Sequence, residues 1–136
     1  MHIGRTLILA VTFSVFYGCA TTQDESELTP AGQRGEPSLL SGIRNYEDGK
    51  YNEAVKALQS SLNRGLSDRE QVRAHKYLAF IHCVSEQDAK CRSHFRMALT
   101  INPRFELEPA ETGHPIWGPV FRSLKDGRAT GPAAAP

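Results

Sequence analysis

The stretch Tyr77–Pro103, YLAFIHCVSEQDAKCRSHFRMALTINP, decides the fold, because it reads as two antiparallel helices joined by a short polar turn. The first arm, Val72 to Val84, is apolar nearly all round, as expected of a helix covered on both sides. The second arm is one-sided: Cys91, Phe95, Ala98 and Leu99 recur at helical spacing, while Lys90, Arg92, Ser93 and Arg96 fall on the opposite face. Ser85, Glu86, Gln87 and Asp88 supply the turn, and Asn102-Pro103 stops the second arm, since proline cannot continue a helix.

Ala79, Cys91, Phe95, Ala98 and Pro103 fall where the tetratricopeptide pattern wants small, small, large aromatic, small and proline residues, so the stretch resembles one such repeat. A second copy lies upstream in GIRNYEDGKYNEAVKALQSSL, where Gly42, Tyr46, Gly49, Tyr51, Ala54, Leu58 and Leu62 match the same pattern. Ala54 and Cys91 are the equivalent small positions, 37 residues apart. The usual period is roughly 34, which places a short insertion around Gly65 to Arg69. Asn45 and Ser61 depart from the pattern, which usually has an apolar and a small apolar residue at those positions.

The chain of 136 residues has room for one small domain and no bulk signature of collagen, coiled coil or wholesale disorder. Its start, MHIGRTLILAVTFSVFYG, has a basic residue at Arg5, an apolar run from Leu7 to Tyr17 and then Gly18-Cys19, the layout of a secretory signal peptide. The run is too short to span a membrane as a helix. Gly18-Cys19 resembles a bacterial lipobox, which implies that Cys19 is acylated and opens the mature chain. The alternative is a Cys19 that is free or disulfide-bonded. Acyl chains each contribute about 0.8 kcal/mol per buried methylene, so several of them anchor permanently. Ala20, in place of aspartate, implies the outer membrane of a Gram-negative cell, with the protein facing the periplasm. Loss of residues 1–18 removes Arg5, so Lys+Arg falls from 16 to 15 against Asp+Glu at 15. A neutral chain without a basic stripe gives no reason to expect nucleic acid or a polyanionic substrate.

TTQDESELTPAGQRGE, Thr21 to Glu36, carries too little apolar surface to order itself and reads as a tether with a reach of roughly 20 to 25 Å. Ser38 is the expected N-cap of the first helix, with Leu39, Leu40, Ile43 and Tyr46 as its apolar stripe. Gly49 turns the chain into a second helix that buries Ala54, Val55, Leu58 and Leu62 and stops at Asn63-Arg64-Gly65. Ser67-Asp68 offers a cap for the next. In FELEPAETGHPIWGPVFRSLKDG, Pro109, Gly113 and Pro115 exclude a long helix before Pro119, after which Val120, Phe121 and Leu124 form a short apolar face. A two-repeat array leaves one apolar face open, and Phe105, Trp117, Val120 and Phe121 are positioned to close it as a cap. The expected architecture is all-α. Residues 1–18 are the signal peptide, 19–37 the acylated cysteine and tether, 38–126 two tetratricopeptide-like hairpins plus a capping helix, and 127–136 a disordered tail.

In an exported protein, Cys83 and Cys91 suggest a disulfide across the hairpin turn, where facing helix ends bring Cα atoms within roughly 4.4 to 6.8 Å. The alternative is a pair of buried thiols, with Cys91 filling the small slot between helices. A zinc set of His82, Cys83, Cys91 and His94 is disfavoured, because neighbouring helical residues point about 100° apart and no C-x-x-C pair is present. Each histidine is expected to be partly exposed. Cys83 sits in an apolar segment that raises a thiol pKa, and the chain has no Gly-rich phosphate loop, G-x-S-x-G or H-E-x-x-H. Glu47, Asp48, Glu106, Glu108 and Glu111 read as solvated surface. No catalytic residue, metal, cofactor or small-molecule substrate is expected. What remains is the face formed by the first helices of the repeats, with Tyr46, Glu47, Arg73 and Lys76 as candidate partner-binding residues, joined by Trp117 of the tail. Ile43 and Phe80 on the same helices are expected in the core.

Lipobox, tether, two repeats, Cys83 with Cys91, and the tail Gly113-His114-Pro115-Ile116-Trp117-Gly118-Pro119-Val120-Phe121 together resemble the small tetratricopeptide lipoproteins associated with bacterial type VI secretion systems. That resemblance covers Gly18 to Lys125, and GHPIWGPVF is its specific part. It implies a non-catalytic accessory of the cell envelope, with partners among the secretion membrane-complex proteins. Two alternatives are a pilotin-like lipoprotein assisting a secretin or pilus component, and an activator of cell-wall enzymes.

Overall fold

A computed structural model describes residues 33–129; Cys19, the segment 1–18 and most of the tether lie outside them. The described residues are all-helical. Six helices follow in order: α1 (Glu36–Glu47), α2 (Tyr51–Arg64), α3 (Asp68–Val84), α4 (Asp88–Ile101), the single turn α5 (Pro109–Thr112) and α6 (Trp117–Ala129).

Punctuation in the sequence sets these boundaries. Gly49 and Gly65 adopt positive φ, 72° and 94°, which lets the chain reverse after α1 and leave α2 without a Cβ penalty. Ser67 opens α3 with a capping box in which its backbone N–H donates to Glu70 Oε2 at 3.1 Å, satisfying one end of the first turn. Between α3 and α4 only Ser85, Glu86 and Gln87 are non-helical; Asp88, expected in the turn, is the first residue of α4, where its charge suits the positive helix end. α1 also begins earlier than expected. Ser38 lies inside it, because Pro37 suits a first helical turn and Gly35, whose N–H donates to the Gly65 carbonyl at 2.9 Å, precedes the helix. At the far end, α6 takes in 127–129, which were expected to belong to the tail.

The helices pack as α1 with α2 and α3 with α4, the pairs meeting through α2–α3 and α1–α3, and α6 lying against α4 and α3. Two apolar clusters result. One joins the pairs through Leu39, Ile43, Ala54, Leu58, Leu78 and Ile81. The other fills the space between α3, α4 and the tail with Phe80, Phe95, Leu99, Leu107, Trp117 and Phe121. Phe80 and Phe95 are at most 2% exposed, and such burial contributes about 1.5–3 kcal/mol per side chain. Small residues let the helices approach: a Cβ on Gly42 would stand 2.6 Å from Leu58 Cγ, and Ser61, fully buried, donates its hydroxyl to the Leu58 carbonyl. Leu40 leaves the expected stripe of α1 and is exposed.

Candidate functional site

Cys83 ends the buried face of α3 and Cys91 begins that of α4. Their Cα atoms stand 5.0 Å apart and the structure joins them by a disulfide that spans the α3–α4 turn. The sulfurs are thereby bonded to each other, and among the described residues no group of three or more metal-ligating side chains is arranged to hold an ion.

The residues expected to form a partner surface divide into two sets. Glu47 and Arg73 are exposed on α1 and α3. Tyr46, Lys76 and Trp117 are engaged by the chain itself. Trp117 is 7% exposed, stacks on Phe80 with ring centroids 4.3 Å apart, and donates its indole N–H to the Glu111 carbonyl at 2.9 Å. Lys76 pairs with the Glu111 carboxylate, and its ammonium lies 4.9 Å from the Tyr77 ring centroid and 5.6 Å from that of Phe80. Glu111 is thus no solvated surface carboxylate: α5 brings it back onto α3. Tyr46 sits half-buried among Tyr77, Tyr51 and Phe80. Burial, and then the neighbouring Tyr51, Tyr77 and Glu111, push its hydroxyl up to about 12. Trp117 and Lys76 therefore belong to the packing of the tail on α3. A partner meeting this face would meet Glu47 and Arg73 directly, and Tyr46 only at its edge.

Further clasps hold the same tail. Arg122 donates to the Thr112 carbonyl at 2.9 Å, and Lys125 donates to the Phe105 carbonyl at 3.2 Å and pairs with Glu106. The segment between α4 and α6 is tied at Phe105, Glu106, Glu111 and Thr112.

His82 and His94, considered above only as zinc ligands, form a group with His75. His75 and His82, seven residues apart, share a face of α3 and meet His94 of α4. The Nδ1 atoms of His75 and His94 are 3.0 Å apart, so one donates to the other, and His82 lies parallel to His94 with centroids 5.3 Å apart. His82, expected to be partly exposed, is 5% exposed; its Nδ1 bonds Gln87 Oε1 at 3.1 Å, while its Nε2 is buried with no partner among the described residues. Burial lowers all three pKa values. His94 falls furthest, to about 4, with the positive fields of His75, His82 and Lys90 adding to burial. The spacing of His75 and His82 was the available signal, and their polarity argued against burial.

Comparison with protein-family models, with curated proteins and with solved structures finds no match.

Proposed function

We propose that the protein is a non-catalytic, lipid-anchored helical-repeat adaptor on the periplasmic face of the outer membrane, an accessory of a type VI secretion apparatus. The observation that carries the adaptor reading is the serial stacking of two helix pairs with small residues at matching places. Gly42 and Ala79, Ala54 and Cys91, and Ser61 and Ala98 are each 37 residues apart, and all six are buried. Repeated hairpins stacked in this way present an extended face to protein partners, and here Glu47 and Arg73 stand exposed on it. The N-terminal layout ending in Gly18-Cys19 supports the anchor, and the resemblance of the GHPIWGPVF tail supports the secretion system.

Two experiments test it in the producing cell. Labelled palmitate is expected to enter the wild-type chain and not Cys19→Ala, and equal labelling of both removes the anchor. Crosslinking and pull-down from membranes, with wild type beside Glu47→Arg, is expected to enrich secretion membrane-complex proteins in the first and lose them in the second. Recovery of a secretin, or of cell-wall synthases, would assign the adaptor to those assemblies instead.

A further inference from the structure

A second feature lies at the opposite end of the α3–α4 hairpin from its disulfide. Where α3 begins and α4 ends, a cavity of about 380 Å³ opens between the helices and the segment that follows α4. Its lining includes Val72, which is buried, and Ile101 and Phe105, which are half-buried. Arg69 and Arg73 line it as well. They are four residues apart on α3 and so project from one face on successive turns, and both are exposed. Among the described residues neither arginine has an ion-pair partner, whereas Lys50, Lys76 and Lys125 each have one. Asp68 is also in the lining, which leaves it with a formal charge of plus one.

Concave sites of about 300–1,000 Å³ with apolar walls and a few convergent polar groups are where small ligands bind. The guanidinium is the side chain best matched to a carboxylate, which it can hold through two parallel N–H donors. We infer that this cavity binds an aliphatic carboxylate, its chain against Val72, Ile101 and Phe105 and its carboxylate at Arg69 and Arg73. An aliphatic ammonium would place its charge against the two arginines. An alcohol of equal length would fill the walls and leave the guanidiniums unmatched. The inference rests on neither the lipid anchor nor the secretion partner.

The test uses the full chain purified from the producing cell and a hexanoate analogue bearing a diazirine, with crosslinks mapped by mass spectrometry. Labelling is expected on peptides containing Val72, Ile101 or Phe105. It should be competed by hexanoate and left unchanged by equal hexylamine. In the double variant Arg69→Gln/Arg73→Gln, labelling at those peptides is expected to fall about tenfold, the scale of losing a hydrogen bond to a charged group. Circular dichroism should show the variant folded, since both arginines are exposed. Equal labelling of the double variant, equal competition by hexylamine, or label no denser at these peptides than elsewhere would each overturn the assignment. An outcome in which pull-down fails while labelling persists separates this site from the adaptor role.

Discussion

His94 stands between two other imidazoles, and what a proton does there follows from its neighbours. Protonating it while His75 is also charged would leave two donors facing each other at 3.0 Å, beside the positive field of Lys90 and with burial already against the charged form. The groups that face the trio from nearby elements do not compensate: Lys56 and Lys90 line the same hollow as His82, with Glu53 the single carboxylate, and Arg96 lies beside His75. The folded protein therefore holds the proton off His94 down to about 4, while the unfolded chain takes it up near 6.5. The unfolded state binds more protons in that window, so stability is full above about 6.5 and is lost as pH falls toward 4. Urea unfolding midpoints are expected to be lower at pH 5.5 than at pH 7.5, a range chosen above the ordinary carboxylate titrations (~4). His94→Gln should shrink that difference without abolishing it, because burial also lowers His75 and His82, and an unaltered pH dependence in the variant would assign it to other groups. Gly42 makes a separate demand. With Leu58 Cγ 2.6 Å from where its Cβ would stand, Gly42→Ala is expected to lower stability by about 1–3 kcal/mol, the usual cost of overpacking, despite alanine's better helix propensity. A urea midpoint equal to or above that of wild type would show that α1 and α2 can move apart freely.

The α3–α4 hairpin is held by packing and by its crosslink. The disulfide closes a separation of eight residues, and loop-closure entropy alone assigns it about 2–3 kcal/mol. Reductant is expected to lower the thermal midpoint by roughly 10 °C or more for a domain of this size. A midpoint that does not move, or two thiols found by alkylating unreduced denatured protein, would show that the cysteines are not paired. These helices could be read in advance because their signals are local: the spacing of Cys91, Phe95, Ala98 and Leu99 matches the buried face of α4, and Gly65 and Pro103 mark helix ends. The candidate surface was less legible because its state depends on distant chain. Nothing local to Lys76 announces that Glu111, 35 residues on, returns to pair with it, or that Trp117 covers Phe80. His75 and His82 depart from expectation for the opposite reason: polar type suggests exposure, whereas both are buried where α3 packs on α4, while His94 and His114 are partly exposed as expected.

At the scale of the whole molecule, the two apolar clusters make the tail part of the fold. The cluster between α3 and α4 takes buried Leu107, Trp117 and Phe121 from beyond Pro103, with Phe105, Val120 and Leu124 of the same segment packed against it. Removing a buried aromatic side chain typically costs about 3–5 kcal/mol, and a domain of this size holds only about 5–15 kcal/mol in all. Trp117→Ala, which also forfeits the stacking on Phe80 and the hydrogen bond to the Glu111 carbonyl, is therefore expected to fold but to unfold at clearly lower urea. A chain ending at Pro103 loses all three side chains and uncovers Phe80 and Phe95, so a second molecule becomes the available cover. Its expected behaviour is loss of cooperative unfolding by circular dichroism together with larger species by light scattering. The tail would then be a structural cap, and partner binding would have to use Glu47, Arg73 and the outer faces of the helices. If the truncated chain instead remains monomeric with an unchanged midpoint, the tail is a detachable cover, and the face of α3 it occupies, with Lys76 and Phe80, becomes available to a partner after all.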